Sequence, residues 1–381
     1  MVRTAVCAGS GIIARAARRQ LTVPVSLGYR NRIVIRTTIA GSLPKPAWLS
    51  DPSAQLFAPW LVPAERREEA QDDAVRLALI DQEAAGIDVV TDGEQRRRHY
   101  IWGFLEGLSG FDTERLGKKR MRGGRYASEQ DVARFVGEVT RSGPVMVPAL
   151  RFAKAHTQRP VKVTLPGPMT IVDSVLDEHY RGDEESLAMH LARLLNAEAR
   201  DLAAAGADVI QFDEPCFNIY LDKVKAWGVR AIATAIDGVT CTTAIHICYS
   251  YGIPRVLAWK RKNTEWSQYE VTLPLLSDTS IDQISVECAA SGVDPAILKG
   301  ARGKDVLLGV IDIGTEEIES AELVAARIRK ALPYVDPERL FTCTDCGLVP
   351  RTRQAARGKV RALVEGTRLL NQELGLVAAA S

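Results

Sequence analysis

Short runs of β-branched and apolar residues alternate along the chain with longer amphipathic stretches, a pattern that predicts βα units around a parallel sheet. Eight candidate strands stand out: 33–42, 88–94, 161–168, 209–215, 243–250, 283–288, 304–313 and 340–347. Between them, 64–86, 184–206, 320–332 and 350–374 carry apolar positions at helical spacing, and the first two end in Gly86 and Gly206, as helix C-caps commonly do. Eight such units are the number that closes a barrel, so the expected fold class is α/β, a single (β/α)8 TIM barrel. The stretch 95–160 is too long for one connection. Its basic part, GKKRMRGGRYASEQD (117–131), predicts a long excursion after the second strand, folded as a hairpin or lid. No repeat, low-complexity tract or linker interrupts residues 37–381, which are expected to form one catalytic domain.

Composition narrows the function. With 381 residues, 46% hydrophobic and 25% charged, the chain buries a sizeable core and is not disordered. Its 49 bases and 47 acids give a net charge of +2, which excludes a general attraction to nucleic acid or to an anionic membrane. The balance is uneven, because residues 1–36 hold seven Arg and no acid. This Arg-rich extension is expected to be poorly ordered rather than an organellar transit peptide, since its only serines are Ser10 and Ser26. No run of 18 apolar residues exists, so a cytoplasmic protein without a membrane span is expected. Seven Cys, an odd number without a secretory signal, favour reduced thiols and metal ligands over a disulfide framework.

The chemically unusual residues cluster at the carboxyl ends of the predicted strands: Gly41-Ser42, Asp92-Gly93-Glu94, Pro166-Gly167-Pro168, Asp213-Glu214-Pro215, His246-Ile247-Cys248, Glu287 and Cys346. In a parallel barrel those ends meet on one face, where active sites lie. His246 and Cys248 are two apart in a strand and so share one side. His-x-Cys alone is more often a buried Cys beside a satisfied His than a metal site. Adding Glu287 and Cys346 gives one imidazole, two thiols and a carboxylate, a full tetrahedral shell suited to zinc. Cys343-x-x-Cys346 has a rival reading as a redox dithiol, which the placement of Cys343 inside a strand disfavours. Cys7, Cys216 and Cys241 read as packing residues, and His156 and His190, in helical segments, as structural. Three negative ligands make such an ion poor at generating hydroxide and well suited to holding a substrate thiol as thiolate, which points to alkyl transfer to sulfur.

With these residues in place, the chain resembles the catalytic barrel of the cobalamin-independent methionine synthases, in their short single-barrel form, from about Thr37 to about Leu370. The motifs are TTIAGSLP (37–44), DGE (92–94), LPGPMT (165–170), QFDEP (211–215), IHICY (245–249), SVEC (285–288), GVIDI (309–313) and DCGL (345–348). The resemblance implies zinc held by His246, Cys248, Glu287 and Cys346. It implies that homocysteine is held with its carboxylate on the backbone from Ile39 to Ser42 and its ammonium on Glu94 and Asp213, and that the methyl donor is 5-methyltetrahydrofolate. It therefore implies a methyltransferase that makes methionine from small-molecule substrates. Three features depart from the family pattern: Gly314 stands where the proton-donating His is expected, Asp173-Ser174 where a pterin-stacking Trp is expected, and Ile219 where an acidic folate contact is expected. Either His99 or His179 then supplies the proton, or the donor is a methyl-corrinoid carried by a partner protein. The alternatives are another zinc-dependent thiol alkyltransferase acting on coenzyme M or epoxides, a metal-free decarboxylase, and a noncatalytic zinc- or thiol-binding component that needs an accessory partner.

Overall fold

The computed structural model describes residues 34–51, 59–124, 129–251, 254–263 and 266–376. Apart from its last three residues, the Arg-rich extension of 1–36 lies outside them. Eight parallel strands form the central sheet: β1 (Arg36–Thr37), β2 (Val90–Thr91), β5 (Val161–Pro166), β7 (Val209–Asp213), β8 (Thr242–Ile247), β9 (Gln283–Glu287), β10 (Asp305–Ile311) and β11 (Leu340–Thr344). Their order is β1-β11-β10-β9-β8-β7-β5-β2. Thr38 pairs in parallel with Val89, and the Val89 amide donates to the Thr37 carbonyl at 3.1 Å, so the first and last strands of that order meet and the barrel closes. All six residues of β5 and all five of β7, β9 and β11 are buried, because helices cover the outside and side chains fill the inside.

The main helices run over Ala64–Ala85, Glu184–Ala204, Ala321–Arg329 and Arg353–Glu373. Asp183, Ser320 and Thr352 each accept an amide hydrogen from the first turn of the helix that follows, which satisfies donors the helix cannot. Gly86 and Gly206, both at φ +94°, turn the chain back toward the sheet. Among the described residues no helix is long and apolar enough to cross a membrane.

The excursion forms an antiparallel hairpin, β3 (Ser109–Lys119) with β4 (Gln130–Thr140). A short strand after β5, β6 (Leu176–Asp177), adds to β4 in parallel, a third strand that the hydrophobic pattern does not announce. Ala133, Phe135 and Val139 of the hairpin pack into the same apolar cluster as the surrounding helices.

The predicted strands overrun the observed ones at their carboxyl ends. Residues 39–42 leave the ladder because side chains take over their backbone bonds: the Ala40 amide donates to Thr344 Oγ1 at 3.0 Å, and Thr91 Oγ1 donates to the Gly41 carbonyl at 2.5 Å. Residues 92–94 turn sharply, with Gly93 at φ +64° and Glu94 at φ +57°, and the Asp92 carboxylate accepts the Glu94 amide at 2.9 Å. The tails of the predicted strands are thus the loops of the barrel rim.

Inside the barrel an apolar plug of Ala40, Val89, Val209, Ala244, Leu307, Phe341 and Cys343 carries a polar layer. There the buried Lys162 ammonium donates to the Ile39 carbonyl at 2.5 Å and to Gln211 Oε1 at 2.8 Å, and Gln211 Nε2 donates to the Ala40 carbonyl and to Asp213 Oδ1. This chain of bonds fixes the β1 rim loop relative to Asp213.

Candidate active site

The inward face of β8 delivers His246, the residue two further on delivers Cys248, and the loop leaving β11 delivers Cys346. A ring nitrogen of His246 and the two sulfurs lie within 4.8 Å of one another, with the sulfurs 3.6 Å apart. Two thiolates bound tetrahedrally to one zinc at about 2.3 Å stand about 3.8 Å apart. His246 Nδ1 is hydrogen-bonded to the Ser285 hydroxyl at 2.8 Å, which orients the ring, while its buried Nε2 has no hydrogen-bond partner among the described residues. A buried polar atom without a partner beside two converging sulfurs fits a metal ion and is costly otherwise.

The electrostatics agree. The Cys346 thiol, donating to Cys248, and the adjacent imidazole hold the Cys248 thiol well below its ordinary range, while the same pairing and burial push Cys346 well above it. Burial presses the His246 imidazole down, but the Cys248 thiolate and Asp213 overcome it and the net direction is up.

Glu287, the fourth member of the expected shell, stands outside the triangle. Its Oε2 accepts the Tyr249 amide at 2.8 Å, and its Oε1 accepts the Tyr251 hydroxyl at 3.1 Å and the Lys260 ammonium. The fully buried carboxylate is held by a cation that the sequence reading missed, because Lys260 lies in a helix far along the chain from it. Tyr269 ties the same two strand ends together: its hydroxyl donates to the Ile247 carbonyl at 2.5 Å and accepts the Glu287 amide at 3.0 Å. The Asp345 carboxylate accepts the amides of Cys288, Ala289 and Ala290, which fixes the rim beside Cys346. Cys343 points into the apolar plug, whereas Cys346 meets Cys248, so the redox dithiol reading fails.

Beside the triangle opens a cleft of about 1450 Å³, open solvent at its mouth included, with Gly41, Ser42, Glu94, Asp213, His246, Cys248 and Cys346 in its wall. Asp213 and Glu94 face the same space. Burial pushes the Asp213 carboxyl up to about 7, with His246 opposing and Glu94 reinforcing the shift. Thr164 Oγ1 donates to Glu94 Oε1 at 2.8 Å. A side chain at position 41 would press against both, since a Cβ there would stand 2.8 Å from Thr164 Cγ2 and 2.9 Å from Glu94 Oε1. Glycine thus lets the rim backbone approach the acid. Ile39 lies beneath the cleft rather than in its wall: it is fully buried and its carbonyl is occupied by Lys162.

The family described as the catalytic domain of cobalamin-independent synthase matches residues 35–368. The chain belongs to that family. A structure of a B12-independent methionine synthase from Shewanella sp. W3-18-1, in complex with selenomethionine, is 44% identical, with a TM-score of 0.87 over 90% of this chain and 100% of that one. The methionine synthase of Sulfurisphaera tokodaii is 32% identical over 343 residues, 90% of this chain and 94% of its own. A vitamin-B12 independent methionine synthase, so named as putative, from Listeria monocytogenes shares the fold with a TM-score of 0.65 at 19% identity.

Of the two histidines expected as proton donors, His99 lines the cleft and His179 does not. His99 Nδ1 accepts the amides of Ile101 and Trp102 at 3.2 and 3.4 Å, and burial, with Arg122 and Lys45 nearby, drops it to about 3. The ring is neutral. His179 is exposed in the turn after β6, outside the cleft wall. His156 bonds the Phe152 carbonyl and His190 the Val139 carbonyl, both structural roles. Arg122 from the hairpin is buried against Asp173, donates to Ser174 Oγ at 3.1 Å and to Cys216 Sγ at 3.1 Å, and lines the cleft.

Proposed function

We propose that this chain transfers a methyl group to the thiol of homocysteine and releases methionine. The observation that carries the reading is the His246–Cys248–Cys346 triangle, with an unpartnered imidazole nitrogen, at the base of a cleft that also presents two buried acids. Family membership supports the reaction class, and a relative 44% identical was solved with selenomethionine, the selenium counterpart of the product. Residues 37–381 would act as one catalytic unit, in the cytoplasm, on two small molecules.

His246, Cys248 and Cys346 would hold one zinc ion, and Glu287 would reach it only by giving up Lys260. When bound, the ion lowers the pKa of the substrate thiol so that sulfur is a thiolate near neutral pH. The protein's own residues do the rest. Glu94 and Asp213 take the substrate ammonium, and the Gly41–Ser42 backbone takes the carboxylate, which aims the sulfur at the donor for in-line attack on the methyl carbon. 5-Methyltetrahydrofolate is the first choice of donor. A methyl-corrinoid is the second, favoured by Arg122 being packed against the Asp173-Ser174 segment where the family places its pterin contact.

Purified protein with homocysteine should form methionine with 5-methyltetrahydrofolate or with methylcobalamin, assayed in parallel. Methionine from neither donor, with zinc present, would remove the reading.

A further inference from the structure

The rim loop after β1 carries a cation that the reaction as described leaves unused. Lys45 sits between Pro44 and Pro46, half-buried in the cleft wall, and among the described residues its ammonium has neither a hydrogen bond nor an ion pair. Its charged surroundings are Glu94 and Asp92 from the turn after β2, Arg97 just beyond it, and the neutral His99. Glu94 is already engaged by Thr164, and Arg97 donates to the Thr164 carbonyl at 2.8 Å, so these neighbours serve each other. Lys45 stands in the wall of the same cleft as Glu94, Asp213 and the sulfur triangle, three residues beyond Ser42 on the rim loop that also supplies Gly41.

Resting on the proposed function, we infer that Lys45 is the general acid that protonates the leaving nitrogen of a donor whose methyl group is carried on nitrogen. The thiolate sulfur bonds to the methyl carbon as the carbon–nitrogen bond breaks. The nitrogen keeps the electron pair and takes a proton from Lys45 Nζ. The resulting amine regains its proton from solvent, which received the one that the homocysteine thiol lost. Burial lowers Lys45 to about 8, with Glu94 opposing the shift, so the group is protonated at neutral pH and still able to give its proton up. His99, neutral, and His179, outside the cleft, leave it without a competing imidazole acid in the cleft wall other than the ligand His246.

The test compares Lys45→Met and Lys45→Arg with the unaltered zinc-loaded protein on two donors, 5-methyltetrahydrofolate and methyl iodide, whose iodide leaves without a proton. Both variants should lose about a hundredfold or more in kcat with the nitrogen donor, in the range of a positioned acid. The ratio of nitrogen-donor rate to methyl iodide rate should fall by a similar factor, while homocysteine affinity by calorimetry stays within about threefold of the unaltered protein. Arginine keeps the charge but holds its proton too tightly to donate it. Recovery of the rate in Lys45→Arg, equal losses with both donors, or an unchanged Lys45→Met would each overturn the inference in favour of a charge clamp or a surface role. Failure of the unaltered protein to methylate homocysteine with either donor would instead remove the proposed function, and Lys45's role with it.

Discussion

Cys248 and Cys346 should each be indispensable for metal, because two sulfurs and one ring nitrogen are all that come together at the site among the described residues. Cys248→Ala and Cys346→Ala are expected to drop metal content, measured by elemental analysis, from about one zinc per chain to near zero. Glu287→Gln is expected to retain most of it, since the carboxylate is spent on Lys260, Tyr249 and Tyr251. Glu94→Gln and Asp213→Asn should raise the KM for homocysteine about tenfold to a hundredfold, the 1.5–3 kcal/mol range of a hydrogen bond to a charged group, with zinc content unchanged. His99 yields a stability prediction. Its folded pKa, about 3, lies below the unfolded value near 6.5, so the unfolded chain binds the proton first and stability is lost as pH falls through that window. Urea melts between pH 7 and 4.5 should show a loss of up to about 1.4 kcal/mol per pH unit that His99→Asn removes. The triangle was legible in sequence because i, i+2 spacing and strand-end position are local facts. Lys260 and Lys45 were not: one reaches Glu287 from a separate helix, and the other sits in a Pro-flanked loop without periodicity.

At the level of elements, the eight strands and four main helices were legible because buried parallel strands read as apolar runs and the helix ends carry Gly, Ser, Thr and Asp signals. Boundaries were less so, since β1 and β2 stop where Thr91 and Thr344 side chains replace ladder bonds. The hairpin was foreseen from the length and basic character of 95–160, but its docking was not. Arg122 and Asp173, 3% and 9% exposed, join the hairpin tip to the segment after β5. Arg122→Ala should cost about 3–5 kcal/mol, the range for stranding one member of a buried ion pair, read as a lower urea midpoint. A cost below about 1 kcal/mol would show that the pair does not fasten the hairpin.

Over the whole molecule, the two ends of the barrel sequence are tied to each other. Asn371, in the last long helix, donates to the Ile35 carbonyl and accepts the Ile35 amide just before β1, while Thr37 and Asp88 exchange bonds where the sheet closes. Asn371→Ala leaves both Ile35 groups buried without partners and should cost about 1–3 kcal/mol for each, measured by thermal unfolding. Closure of the ring was expected from the count of eight units. Its fastening was not, because bonds spanning more than 300 residues leave no local trace.

The central claim is that His246, Cys248 and Cys346 gather one thiophilic ion whose remaining position accepts the substrate thiol. Zinc-edge X-ray absorption of the purified protein, recorded before and after adding homocysteine, addresses it most directly. Two sulfur neighbours rising to three on addition is the predicted result. A sulfur count that does not change, or one zinc per chain that survives the double change Cys248→Ala and Cys346→Ala, would contradict it.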